Sequence, residues 1–252
     1  MANIIRCVLP DGVHRYKPFT VADYRDFLLI RNDMTHHTPE MQETLIDELV
    51  EDYFGELPKQ WQHYAFLNAF TGSIGKTKIP VVFECPECGK KKRSMFNISQ
   101  EPLVNPTIKI NENLKLNFNF PTKQENKLAE LVLNNVESVE YENVEYKWND
   151  LTSKSKSDII DSIEFESFEE LVKKLKPIHF VLKTKCCGKE RQMIFDDLYS
   201  IFNLLISPDE VFPFYEINHI LTKNNYSLES IMNMIPVERS IALSLVEKDN
   251  KQ

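Results

Sequence analysis

The chain has 252 residues, 42% hydrophobic and 27% charged, the composition of a folded protein with one core or a core and a satellite, not of a disordered or fibrous chain. Thirty-eight acidic against thirty basic side chains give a formal charge of −8, which disfavours phosphate backbones and anionic membranes unless the lysines gather on one face. Met1-Ala2-Asn3-Ile4-Ile5-Arg6 lacks the apolar region of a secretory signal, and no stretch is apolar for long enough to span a membrane. The expectation is a protein that stays in a reducing cytosol, where close-set cysteines are ligands or redox groups before they are disulfides.

Residues 1–77 read as a strand followed by helices. Ile4 to Leu9 alternates loosely, Pro10-Asp11-Gly12 makes a turn, and Thr20 caps a helix expected over Val21 to Leu29. Thr38-Pro39 opens a second helix carrying Met41, Leu45, Leu49 and Phe54. Leu57-Pro58 interrupts, and a third helix from Lys59 to Phe70, with Trp61, Tyr64, Phe66 and Leu67, is expected to be well buried.

Residues 78–195 change to a strand-like period. Ile79, Val81 and Phe83 lead into a cysteine turn and Met95, Phe96 and Ile98 lead out of it. A second hairpin fits Thr107 to Phe120, turning at Asn111-Glu112-Asn113, and its stripe of Leu114, Leu116, Phe118 and Phe120 needs a covering layer. Thr122 and Glu125 have capping-box spacing for a helix with Leu128, Leu131 and Val132 on one face. Ser138 to Trp148 reads as an exposed hairpin around Glu142-Asn143, and Ser153 to Lys156 as a polar turn. Two short helices follow, Asp158 to Ile163 and Phe168 to Leu175, the second opened by Ser167 and Glu170. After Pro177, Ile178 to Lys185 and Glu190 to Phe195 make another cysteine-tipped hairpin. Residues 196–252 are helical, over Asp197 to Ile206, Pro208 to Leu221, and Ser227 onward with a break at Pro236. The fold class is α+β: N-terminal helices, central antiparallel hairpins with an inserted β/α segment, and a helical C-terminus.

The strongest chemical signal is Cys85-Pro86-Glu87-Cys88-Gly89, with Cys186-Cys187-Gly188 at the tip of the later hairpin. Tetrahedral zinc takes four soft donors, and such knuckles are tight turns in which glycine supplies the positive φ that follows the thiols. Cys85, Cys88, Cys186 and Cys187 thus form a split zinc-ribbon-like site, and four cysteine ligands leave no open position, so the ion is structural and not catalytic. Adjacent cysteines in the second knuckle are irregular. They leave open a site with one of that pair plus His179, a redox pair, or reduced buried thiols.

Other motifs carry less. Gly72-Ser73-Ile74-Gly75-Lys76-Thr77 imitates a phosphate-binding loop, but Phe70 stands where the first glycine belongs and the segment runs from helix to strand, the reverse of the required order. A flexible loop is expected there. His36 and His37 read as a surface loop and Cys7 as a core residue. No nucleophile elbow, zinc-protease helix or triad neighbourhood appears, so the chain reads as non-enzymatic. Lys90 to Arg93 reads as a solvated basic run. The run Val211 to Leu221, with Phe212, Phe214 and Tyr215, is either core packing or an exposed patch that a partner covers.

Pro18-Phe19-Thr20-Val21-Ala22-Asp23-Tyr24, the C-P-x-C hairpin, the strand Leu116 to Pro121 running into Thr122, and the tail Tyr226-Ser227-Leu228 through Met234-Ile235-Pro236-Val237-Glu238-Arg239 together resemble T-even-type bacteriophage baseplate proteins, most of all the baseplate hub assembly proteins. The resemblance implies a late protein of the host cytoplasm or the virion baseplate. It would be a chaperone-like assembly factor, or else a structural hub component, with other baseplate hub proteins as partners and no catalytic residues. Membrane and nucleic acid are not expected partners, although a zinc-ribbon nucleic-acid binder is a further reading of Lys90 to Arg93.

Overall fold

Residues 4–122 and 127–250 are described by the computed structural model. Cys7 and Leu9 point inward from β1 (Ile5–Leu9), which pairs antiparallel with β2 (Gly12–Tyr16), a second strand where the sequence suggests only a turn. α1 (Val21–Met34) starts at a capping box, Asp23 N–H donating to Thr20 Oγ1 at 3.2 Å and Thr20 N–H to Asp23 Oδ2 at 2.7 Å. It runs past Leu29 because Met34 is still buried. α2 (Pro39–Phe54) starts at Thr38-Pro39 as expected, but Ile46, Leu49, Val50 and Phe54 face inward while Met41 is exposed. α3 (Lys59–Ile74) buries Tyr64, Ala65, Phe66, Leu67 and Phe70.

The expected loop at Gly72-Ser73 is instead the last turn of α3, which ends at left-handed Gly75. Tertiary contacts override the glycine there. Ser73 Oγ accepts from Phe19 N–H at 2.7 Å and donates to the Ala69 carbonyl at 2.6 Å. A Cβ on residue 72 would meet Ile5 Cδ1 at 2.7 Å, so glycine lets the helix press against β1.

β3 (Lys78–Glu84) and β4 (Lys91–Asn97) form the first cysteine hairpin. β5 (Thr107–Lys109) and β6 (Leu114–Phe118) follow, then α4 (Leu128–Asn134), β7 (Val136–Tyr141) and β8 (Val144–Lys147). The expected capping residue Glu125 lies outside the described residues. The acidic hairpin is not a free one: β7 pairs with β6, Leu116 opposite Val139, giving a sheet of order β5-β6-β7-β8 with Val139 buried. Its two-residue turn has Glu142 and Asn143 at φ 49° and 65°, both left-handed as a type I′ turn requires.

α5 (Ser153–Asp161) absorbs the expected polar turn, because Thr152 Oγ1 caps Ser155 N–H at 3.1 Å. α6 (Phe165–Lys174) starts before the expected Ser167, with Phe168 N–H already bonded to the Glu164 carbonyl at 2.9 Å. Together with α4, these helices supply the covering layer. Leu131, Val132, Leu171 and Leu175 close over Leu116, Phe118, Val136 and Val139 as a separate small core.

The chain then makes β9 (Phe180–Cys186), β10 (Lys189–Phe195), α7 (Leu198–Leu205), α8 (Val211–Lys223), α9 (Leu228–Asn233) and α10 (Pro236–Asp249). The main core joins both ends of the chain: Phe27 and Phe66 share it with Phe202, Phe214, Leu221 and Val246. Phe19 meets Phe27 edge to face at 4.9 Å, and Val21 N–H donates to the Met234 carbonyl at 2.7 Å. Buried Arg239 donates to Asn218 Oδ1 at 3.1 Å, its guanidinium 4.6 Å from the Phe214 ring centre. Of the C-terminal apolar run, Phe214 and Leu221 are buried and Val211, Ile217 and Ile220 lean on the core, while Phe212 (76% exposed) and Tyr215 face solvent.

Because the two ends share one core, Leu67→Ala in α3 and Leu221→Ala in α8 are each expected to cost about 2–5 kcal/mol. Urea unfolding followed by circular dichroism should show a single transition shifted in both variants. A separate early transition in the Leu221 variant would contradict the shared core.

Candidate metal centre

Two turns, built differently, carry the thiols. In the first, the Cys85 N–H bonds to the Lys90 carbonyl at 3.0 Å and the Gly89 N–H to the Cys85 carbonyl at 2.8 Å, with Gly89 at φ 63°. The second is a two-residue hairpin turn between paired Cys186 and Lys189, with Cys187 at φ 54° and Gly188 at 74°. Left-handed backbone at both central positions makes it type I′. This removes the apparent irregularity of adjacent cysteines. Along an extended strand neighbours point to opposite faces, whereas the left-handed turn at Cys187 leaves its sulfur 3.9 Å from that of Cys186.

The hairpins face each other through Val81, Phe96, Ile98 and Leu182, with the Phe96 ring 5.0 Å from that of Phe195 and 5.9 Å from that of Phe180. Lys92 Nζ donates to the Lys185 carbonyl at 2.9 Å across the gap. This packing brings the tips together. The four sulfurs of Cys85, Cys88, Cys186 and Cys187 lie within 4.8 Å of one another, and Cys88 and Cys186 are 3.7 Å apart.

That distance is far beyond the roughly 2.05 Å of a disulfide. It matches the edge of a tetrahedron of thiolates around a metal at about 2.3 Å, which is about 3.8 Å. Cys85 and Cys186 are buried while Cys88 and Cys187 reach solvent, so an ion has an approach from one side. The electrostatics fit a cation as well. Backbone N–H groups of Glu87 and Cys88 hold the Cys85 thiol down at about 6, whereas the neighbouring Cys88 and Cys186 sulfurs push Cys187 up to about 12. Four crowded thiols cannot all ionise unless a positive charge sits among them.

His179 takes no part. It lies at the far end of β9 from the thiols, a strand of seven residues, hence about 20 Å away at roughly 3.3 Å per residue. There its Nδ1 meets Asp196 Oδ1 at 2.6 Å, and Lys176 joins the same carboxylate. This group borders a cleft of about 630 Å³ between α2, α3 and the start of α7. Across the cleft His63 is bonded to Asp47 at 2.8 Å, so both histidines are already engaged. His36 and His37 are exposed, and Cys7 is a buried thiol pushed up to about 12 by burial. Among the described residues no helix is long and apolar enough to cross a membrane.

The family described as T4 bacteriophage base plate protein matches residues 1–203, and the family described as baseplate hub assembly protein Gp51 C-terminal domain matches residues 205–251. No curated protein and no solved structure matches the chain.

Titrating the metal-free chain with cobalt(II) is expected to give the visible bands of a tetrahedral thiolate site, saturating at one ion per chain. Cys88→Ser and Cys186→Ser should each abolish or strongly weaken them. Because binding requires thiolates, the bands should fade as pH falls. Unchanged bands in either variant would remove that cysteine from the site.

Proposed function

We propose, from the premise that this chain belongs to the T4 bacteriophage base plate protein family, that it is a non-enzymatic assembly factor of the tail baseplate hub. In this reading it works in the host cytoplasm by holding other baseplate hub proteins. The observation that carries the reading is the match of residues 205–251 to the C-terminal domain of a baseplate hub assembly protein, in a chain whose preceding residues match the base plate family. A second reading, a structural hub component retained in the virion, has its support in the base plate description of the larger match. The two separate cleanly. An assembly factor is absent from washed mature particles although abundant in infected cells, whereas a structural component stays in the particles at fixed copy number.

Cys85, Cys88, Cys186 and Cys187 hold a structural zinc ion in this account, and the paired hairpins form a split zinc-ribbon-like unit. What supports zinc is the donor set, four thiolates with no open position. The ion, when bound, cross-links two hairpins separated by a long stretch of chain. The protein's own residues align the tips through the inward packing of Val81, Phe96 and Leu182 and present the thiols through two tight turns. Closing so long a loop restricts the unfolded chain and so favours the folded one.

Chelation at neutral pH is expected to release one zinc per chain and to expose the hairpins to limited proteolysis after Lys90 to Arg93, while the cooperative unfolding of the main core remains. Proteolysis unaffected by chelation would argue against a zinc clamp.

A further inference from the structure

Charge is not spread evenly over the chain. The two cysteine hairpins, residues 78–97 and 180–195, together hold nine Lys and Arg against three Asp and Glu. They are formally +6 in a chain of −8, so the remaining residues carry −14. A divalent ion held by four thiolates contributes −2 at the tip and leaves the lobe at +4. Neither hairpin stands out alone. The fold doubles the density by setting Lys90 to Arg93 beside the basic residues of the second hairpin.

Few of these charges are neutralised. Glu87 takes both Lys189 at 3.0 Å and Arg191 at 2.8 Å, and Glu190 lies 3.7 Å from Lys185. Lys90, Lys91, Arg93 and Lys183 are exposed and have no acidic partner among the described residues. Strand alternation sends Lys91, Arg93 and Met95 outward on β4, beside Val82 and Pro80 of β3. On the other hairpin Lys183 is outward next to the cross-strand pair Val181 and Ile194. Each outer face therefore sets apolar side chains against cations: Val82 is 60% exposed, Met95 57% and Ile194 57%.

We propose that the outer face of the first cysteine hairpin, β3-β4, docks an acidic protein surface with an apolar centre. This rests on the reading of the chain as a binder of baseplate proteins and names the chemistry of that partner. Charge complementarity selects a carboxylate-rich occupant. The exposed Val82 and Met95 select an occupant that also buries apolar area. Nucleic acid fits less well. Base stacking uses exposed aromatic rings, yet Phe96 is buried and Phe83, Phe180 and Phe195 lie on the inward faces. Glu84 opposite Lys91 also breaks the face at a point that an array of phosphates, in nucleic acid or a bilayer, would oppose.

The test uses the full zinc-loaded chain, baseplate proteins of the same phage expressed singly, a duplex DNA of random sequence, and vesicles containing phosphatidylglycerol. A lobe variant, Lys91→Glu and Arg93→Glu, is compared with a control variant, Lys147→Glu and Lys223→Glu, after both are verified to keep their zinc. The expected result is a complex with at least one baseplate protein that weakens roughly tenfold or more in the lobe variant and with rising salt, and changes less than about twofold in the control. An undiminished complex in the lobe variant would overturn the docking surface and leave the proposed function standing. Absence of any baseplate complex would overturn both. Binding of duplex or vesicles, lost in the lobe variant, would overturn the choice of a protein partner.

Discussion

A two-stranded sheet is at best marginally stable in water, and the middle of this chain contains two of them, β3-β4 and β9-β10, that share no backbone ladder. Each persists only through what holds it to the other. Val81, Phe96, Ile98 and Leu182 are a small common core, anchored at its base through Phe180, Phe195 and Leu205, which also lean on the main core. The base is therefore fixed by apolar burial, while the tips, where basic residues crowd, bury little apolar surface beyond Cys85 and Cys186. Four thiols converge at that unsupported end. The rest of the central architecture depends on this closure, because the four-stranded sheet and its covering helices lie on the chain between the two hairpins.

The outer parts of the chain are held by different physics. The N-terminal helices and the last helices bury large apolar side chains against each other, and the segments matched by two different family descriptions meet in one core. Outside the C-P-x-C turn, residues that carry the family resemblance work here as packing. Phe19 packs edge-on into the aromatic cluster, Val21 bonds to Met234, and Arg239 closes over Phe214. Tyr24 reaches from α1 to Glu210 at 2.6 Å, and burial together with that carboxylate raises its hydroxyl. These residues thus report a way of joining the two ends of the chain, while the C-P-x-C turn supplies two of the four thiols.

Much of this was legible in the residue pattern because local signals and tertiary packing agree. Thr38-Pro39, Leu57-Pro58 and the alternation into and out of each cysteine turn place their elements within a residue or two. The pattern misleads where distant contacts decide. Gly72 reads as a loop residue, yet the approach of Ile5 makes it part of a helix. The hairpin after Val136 reads as exposed because its charges alternate, and β8 is exposed, but the other face of β7 is covered by partners further along the chain. At the site, the four cysteines were visible as residue types. What local sequence does not carry is that Cys187-Gly188 is a type I′ turn, which is what makes adjacent thiols usable, and that two modest basic runs are brought to the same end of the lobe.

The central claim is that a metal-clamped hairpin lobe belongs to a protein that acts by holding other baseplate proteins. Native mass spectrometry of the chain, purified without added metal from cells that also express candidate hub proteins, tests it most directly. The account predicts one zinc per chain in a hetero-complex of defined stoichiometry. A solitary, metal-free chain would contradict it.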